Sequence, residues 1–101
     1  MTITVRPLAL DDLHLAALAI AENNLTAAEA FYDEVEHLVT LLTEQPRLGQ
    51  ELPVYHDIVA DVRSLLLRKY PYAILYRVID NRQIEIIRVL HQRRDLRGLL
   101  S

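Results

Sequence analysis

The apolar and polar residues change their period about 60 residues into the chain, which predicts two halves of different structure. Residues 3–7 alternate apolar and polar and stop at Pro7, as in a short strand. The next apolar residues recur at i, i+3, i+4 and i+7, the spacing of one helical face. They are Leu13, Ala16, Ala17 and Ile20.

A second helical period runs over residues 27–42 and stops before Pro46. Asn23 and Asn24 separate it from the first helix, because Asn readily adopts turn conformations. Thr26 and Glu29 have the spacing of a capping box, so we expect the second helix to begin there. Two helices with a short link predict an antiparallel hairpin.

Three segments rich in Val, Ile, Leu and Tyr follow a loop over residues 46–61. They span 62–69, 72–79 and 84–90, and turn residues separate them at hairpin spacing. The last is apolar on both faces, which predicts a strand that is covered on both sides. The order β-α-α-β-β-β therefore predicts a single α+β domain over residues 1–101, with both helices on one face of a mostly antiparallel sheet.

The opposite face of this sheet has no predicted helix to cover it. We expect it to expose Leu66 and Leu75 beside Arg68 and Arg77. An exposed face that is both apolar and basic is typical of an interaction surface. The alternative is that the tail, residues 94–100, folds back over it.

Composition excludes several classes of protein. With 51% apolar residues and a net charge of −3, the chain does not resemble a disordered protein. The absence of Cys excludes a disulfide scaffold and a thiolate zinc site. His14, His37 and His56 lack metal-ligand spacing, and no apolar run approaches the roughly 18 residues of a membrane span. Asp11 and Asp12 precede the apolar residues 13–21, where a secretory signal has basic residues. We therefore expect a cytoplasmic protein without metal, cofactor or membrane contact.

The net charge combines two unlike halves. Residues 1–61 hold 2 Arg and 11 acidic residues, a charge of −9, whereas residues 62–101 hold 9 basic and 3 acidic residues, a charge of +6. A basic half suggests contact with an anionic partner. The alternative is that the two halves pack with opposite charges facing each other.

Two segments of the basic half point to a family. The segments V-R-S-L-L-L-R-K-Y-P-Y-A-I-L-Y-R-V (62–78) and I-I-R-V-L-H-Q-R-R-D-L (86–96) resemble the RelE/ParE superfamily of bacterial toxins, the toxin halves of type II toxin–antitoxin pairs. The ending R-V-L-H-x-R-R-D-L resembles the ParE branch most closely. The first half agrees more loosely, through D-L at 12–13, A-x-x-F at 28–31 and P-x-x-G at 46–49.

The two branches of this superfamily differ in chemistry. RelE-like toxins are ribosome-dependent endonucleases that cut mRNA, whereas ParE-like toxins are typically poisons of DNA gyrase. RelE-like sequences place two Lys at alternate positions of the strand that corresponds to 62–69, and an Arg after the Tyr that opens the next strand. Here these positions are Ser64, Leu66 and Ala73, which supply no cation. The resemblance therefore implies an inhibitor of gyrase rather than an enzyme.

The resemblance also implies a cognate antitoxin and a hetero-oligomer with it. We expect an amphipathic antitoxin segment on Leu66 and Leu75, with acidic side chains that neutralise Arg68 and Arg77. The predicted target-binding residues are those of the basic half: Arg63, Arg68, Arg77, Arg88, His91, Arg93 and Arg94.

Two alternative functions remain at this point. The first is a RelE-like mRNA endonuclease in which His91 is the acid or base and Arg88, Arg93 and Arg94 bind the phosphate. The second is a non-toxic relative that acts only in a DNA-binding regulatory complex with its antitoxin. If His91 is purely structural, it ends its strand with a local hydrogen bond, and Arg94 and Asp95 fix the tail.

Overall fold

The chain forms one sheet with two long helices on one face and a short helix near the other. A computed structural model describes residues 1–92 and 97–100. The elements are β1 (Thr2–Val5), α1 (Pro7–Ala21), α2 (Leu25–Glu44), β2 (Gln50–Glu51), a 3₁₀ turn (Pro53–Tyr55), β3 (Arg63–Leu66), β4 (Tyr72–Ile79), β5 (Gln83–His91) and α3 (Arg97–Leu100). The strand order is β1-β5-β4-β3-β2, and β1 pairs parallel with β5 while the other pairs are antiparallel.

The predicted β-α-α-β-β-β order is confirmed, and the structure adds β2 and α3 to it. The predicted capping box is wrong. The helix α2 begins at Leu25, and the Asn24 side chain accepts a hydrogen bond from the Ala27 N–H at 3.1 Å. Thr26 and Glu29 therefore lie inside the helix. Pro7 opens α1 rather than closing the strand, because its fixed φ and missing N–H suit the first helical position.

The first core lies between the helices and the sheet. Side chains of α1 and α2 pack there on alternate residues of β4 and β5, and Phe31, Leu42, Ile74, Tyr76 and Ile84 are fully buried. At an average of about 25 cal/mol per Å² of apolar surface, this burial is the main contribution to folding.

A second core lies on the opposite face of the sheet and corrects one prediction. Residues of the 52–62 loop and of α3 cover this face, and Leu75 is 0% exposed beneath them. Leu75 therefore does not belong to an exposed apolar surface, whereas Leu66, nearer the end of β3, is 53% exposed. The last predicted strand is indeed covered on both faces, because Ile84 packs in the first core and Ile87 in the second.

The motif P-x-x-G at 46–49 has a structural reason. The Tyr76 hydroxyl donates to the Pro46 carbonyl at 2.9 Å and accepts from the Gly49 N–H at 2.8 Å. A Cβ on residue 49 would lie 2.7 Å from the Tyr76 ring and 2.9 Å from the Ser64 carbonyl oxygen, so only glycine fits. Burial raises the pKa of the Tyr76 phenol, which keeps this hydroxyl protonated.

The hairpin between β4 and β5 turns through Asp80 and Asn81, whose φ angles are 52° and 56°. Asp and Asn tolerate this left-handed region better than other non-glycine residues.

Among the described residues, no helix combines the length and apolar character that membrane crossing requires.

We predict that Tyr76→Phe lowers the free energy of unfolding by about 1–3 kcal/mol, since it removes the partner of the buried Gly49 N–H and of the half-buried Pro46 carbonyl. Urea denaturation measures this change. The matched control is Tyr32→Phe at an exposed position, where we expect a change within about 0.5 kcal/mol. Equal stability of the Tyr76→Phe variant and the wild type would contradict the role assigned to this hydroxyl.

Candidate interaction surfaces

A small apolar cavity occupies the sheet face opposite the long helices. Leu66 pairs with Ala73 and Ser64 pairs with Leu75 across β3 and β4, so these residues share one face. The cavity has a volume of about 130 Å³. It is lined by Leu52, Ser64, Leu66, Ala73, Leu75, Leu90, His91 and Gln92.

The three positions at which the sequence departs from RelE-like toxins all lie in this cavity. Ser64, Leu66 and Ala73 all line it, and no Lys or Arg is among its described lining residues. A phosphate in the cavity would meet mainly aliphatic side chains. The surface is therefore suited to apolar contact rather than to the stabilisation of developing negative charge.

The predicted target-binding arginines do not form one patch. Arg63 points towards the loop before β2, where it donates to the Gly49 carbonyl at 3.0 Å and pairs with Glu51 at 3.1 Å. Arg68 lies just beyond β3 with its side chain exposed, and its N–H donates to the Glu34 carboxylate on α2. Arg93 and Arg94 lie outside the described residues.

Arg77 shares a carboxylate with a residue from the start of the chain. Glu85 on β5 accepts from Arg77 at 2.8 Å and from Arg6 at 3.0 Å. The hydrogen bond from Arg6, followed by that from Arg77, lowers the pKa of Glu85 below its ordinary value. Arg77 is therefore partly neutralised in the folded protein.

Arg88 joins three elements. Its Nε and Nη2 donate to the two oxygens of Asp12 on α1 at 2.7 and 2.9 Å, and its Nη1 donates to the Leu99 carbonyl of α3 at 3.1 Å. Asp12 also accepts from the Val89 N–H at 3.0 Å. The hydrogen bonds to Asp12 raise the pKa of the Arg88 guanidinium further above its ordinary value.

His91 and Arg88 line one groove between α1 and β5, of about 490 Å³. The His91 ring meets the Tyr72 ring edge-on at 5.7 Å. All three nitrogens of Arg88 already donate to Asp12 or Leu99, so this arginine is poorly placed to bind the phosphate of an RNA. The structure thus brings two members of the alternative nuclease set together, and among the residues it describes Arg88, the one cation of that set, is already paired.

The residues that hold α3 in place carry no recognisable sequence pattern. Arg97 pairs with Asp57 at 2.9 Å, donates to the Val54 carbonyl at 2.8 Å and lies 5.7 Å from the centre of the Tyr55 ring. The hydrogen bond from Arg97 lowers the pKa of Asp57. Neither Asp57 nor Arg97 belongs to a periodic segment, and only their opposite charges hinted at this contact.

Several of these ion pairs connect the acidic half of the chain with the basic half. Among the described residues, three of the five salt bridges join an acid before residue 62 to an arginine after it. They are Asp12–Arg88, Glu51–Arg63 and Asp57–Arg97. Packing of opposite charges therefore accounts for part of the charge asymmetry, since these pairs engage three of the nine basic residues of the second half. The described part of the chain holds no cluster of three or more His, Asp or Glu side chains suited to a metal ion.

Comparison with known proteins decides the family. A family model described as the ParE toxin of the type II toxin–antitoxin system parDE matches residues 3–96. The chain belongs to the ParE toxin family. It is therefore a ParE-type toxin of a type II toxin–antitoxin system, with an antitoxin as its partner.

A solved structure shares the fold of this ParE-type toxin. It is a chain of the chromosomal ParDE system from P. aeruginosa, with a TM-score of 0.71 and 21% sequence identity. The match covers 90% of this chain and 95% of that one. A search of curated proteins gave no significant match.

We predict that Glu85 makes the ParE-type toxin sensitive to acid. Its pKa is lowered in the folded state, so its stabilisation is present above the ordinary value of 4.5 and is lost as the pH falls through the lowered value. Glu85→Gln should therefore lose less stability than the wild type over this pH range, as followed by urea denaturation. Parallel pH profiles of the two proteins would contradict the prediction.

Proposed function

We propose that this ParE-type toxin binds and poisons DNA gyrase, and that its cognate antitoxin neutralises it. The observation that supports this most is the apolar cavity at Ser64, Leu66 and Ala73. The same positions supply the cations of an mRNA endonuclease in RelE-like toxins. The absence of cations at these positions favours action by binding.

RNA cleavage by attack of the 2′-hydroxyl needs a base, an acid and positive charge near the phosphate. His91 lines the apolar cavity and also the groove beside α1. Arg88, the candidate cation that the structure describes in the same groove, is paired with Asp12. The described residues therefore supply a possible acid or base without the accompanying positive charge, which favours a binding function over cleavage.

The candidates for contact with gyrase are fewer than the sequence predicts. Arg63, Arg77 and Arg88 each pair with a carboxylate, so their charge is largely balanced within the protein. Arg68 keeps an exposed side chain outside these pairs. We assign target contact to Arg68 and, on the family resemblance alone, to Arg93 and Arg94.

Leu66 is the remaining apolar anchor for the antitoxin on this face. It is exposed at the rim of the cavity, whereas Leu75 forms the cavity floor and is fully buried. An antitoxin side chain would gain about 25 cal/mol per Å² of apolar surface that it buries there. Arg68 does not accompany Leu66 on this face as the sequence predicts, because it lies beside Asp33 and Glu34 of α2.

Purified toxin should be tested in gyrase supercoiling and DNA-cleavage assays, with an in vitro translation reaction run alongside. We expect inhibited supercoiling, accumulation of cleaved DNA and intact mRNA. Codon-positioned cuts in the mRNA without any effect on gyrase would contradict the proposal and favour the endonuclease. Overexpression without growth arrest would favour a non-toxic relative that acts only in a regulatory complex.

We predict that Arg93→Ala combined with Arg94→Ala weakens gyrase inhibition by about tenfold or more, since two cationic contacts are lost. The matched control removes the same charge elsewhere, through Arg82→Ala in the β4–β5 turn combined with Arg47→Ala in the loop after α2, whose side chain donates to Asn81 of that turn. We expect this control to inhibit gyrase within about twofold of the wild type. Thermal melting must show that both variants fold. Equal inhibition by both double variants would overturn the assignment.

A further inference from the structure

An apolar groove lies between α1 and α2 on the outer surface of the helical hairpin. Its volume is about 210 Å³. Every residue that lines it belongs to one of the two helices, so the groove lies on the side of the hairpin away from the sheet. Its apolar lining consists of Ala17, Leu18, Ala21, Leu25, Ala28 and Tyr32.

The side chains of this groove suit an added helix. Ala17 and Ala28 are buried and small, so another helix can approach closely over them, because the distance between packed helices depends on the side chains at the contact. Leu18 and Leu25 stand beside them and are 52% and 67% exposed. Two exposed leucines and the exposed ring of Tyr32 around one groove are typical of a helix-docking surface.

The hairpin that carries the groove is strongly acidic. Residues 7–46 contain eight Asp and Glu residues and neither Lys nor Arg. Six of the eight are exposed, and in the part of the chain that the structure describes Asp12 is the only one that forms a salt bridge. Glu29 and His14 are the polar residues that line the groove. The groove therefore lies in a surface whose negative charge is largely unbalanced within the described protein.

This charge decides which kind of partner the groove can hold. A nucleic acid would bring its phosphates against carboxylates, which repel them. A second copy that binds through the same surface would bring a second acidic hairpin, and the antitoxin segment predicted for Leu66 carries acidic side chains. A helix with apolar residues on one face and Lys or Arg on the other complements both the groove and its surroundings. Enzymes that act on DNA carry cationic surfaces, because phosphate contacts dominate their affinity for DNA.

We propose that this groove docks a basic, amphipathic helix of the enzyme that the toxin inhibits, which is gyrase in the function proposed above. Leu18 and Leu25 contact the apolar face of that helix, and Glu29 pairs with one of its Lys or Arg side chains. The inference rests on the proposed function. It adds to that function a contact surface on the helical layer, on the opposite side of the molecule from the cavity at Leu66.

The test compares gyrase inhibition by two matched variants in a supercoiling assay with the gyrase holoenzyme. Leu18→Lys places a cation in the groove, and the control Leu8→Lys adds the same charge at a leucine of similar exposure (56%) outside the groove. We expect Leu18→Lys to raise the toxin concentration for half-inhibition by about tenfold or more, and Leu8→Lys by less than about twofold. Thermal melting must show that both variants fold.

A second pair of variants tests the charge at the groove. Glu29→Gln removes a carboxylate from its lining, whereas the control Glu44→Gln removes one at the last residue of α2. Calorimetry with gyrase should show binding weakened by about fivefold for Glu29→Gln at low salt and by less than about twofold for Glu44→Gln. The difference should shrink as salt is added, because ions screen the lost attraction.

Four results would overturn the inference. Equal inhibition by the wild type, Leu18→Lys and Leu8→Lys would leave the gyrase function intact but exclude the groove as the docking site. Weaker binding of the co-expressed antitoxin by Leu18→Lys, with unchanged gyrase inhibition, would assign the groove to the antitoxin. A dimer of the free toxin that Leu18→Lys abolishes would assign it to a second copy of this chain. Absence of gyrase inhibition by the wild type would contradict the proposed function as well.

Discussion

The carboxylate of Asp12 is the point at which the helical layer, the sheet and the C-terminal helix are joined. It accepts two hydrogen bonds from Arg88 and one from the Val89 N–H, and Arg88 in turn holds the Leu99 carbonyl. The side chains of the pair are only 10% and 15% exposed. Removal of one partner from such a pair leaves a poorly solvated charge, which typically costs about 3–5 kcal/mol. The position of α1 over the sheet, the end of β5 and the cover of the second face all depend on this contact.

The same contact explains why two motifs of the family pattern that lie far apart in the sequence occur together. The D-L pair at 12–13 and the R-V-L ending at 88–90 are 76 residues apart, yet one side chain of each forms the Asp12–Arg88 pair. Similarly, P-x-x-G at 46–49 exists because the Tyr76 hydroxyl lies against the Gly49 backbone. Motifs that agree only loosely with the family in sequence therefore supply the partners of specific contacts in the structure. Their presence here supports the family assignment physically.

Periodicity predicted the elements that bury one regular face, namely both long helices and the three consecutive strands. It did not predict the cover of the second face, because the 52–62 loop and α3 pack through isolated residues such as Val59 and Leu100. For this reason Leu75 was predicted to be exposed and is buried. The charge asymmetry was open to two interpretations, and the ion pairs Glu51–Arg63 and Asp57–Arg97 favour internal packing. Such pairings depend on tertiary proximity, which residue spacing does not encode.

The architecture depends on the coupling between Asp12 and Arg88, and a double-mutant cycle measures this coupling most directly. Urea denaturation of Asp12→Ala, Arg88→Ala and the double variant gives the three free-energy changes that the cycle requires. We predict a coupling energy of about 2 kcal/mol or more, because the double variant removes both charges and leaves neither without its partner. Additive effects, within about 0.5 kcal/mol, would show that the two side chains act independently and would contradict the central role of this pair.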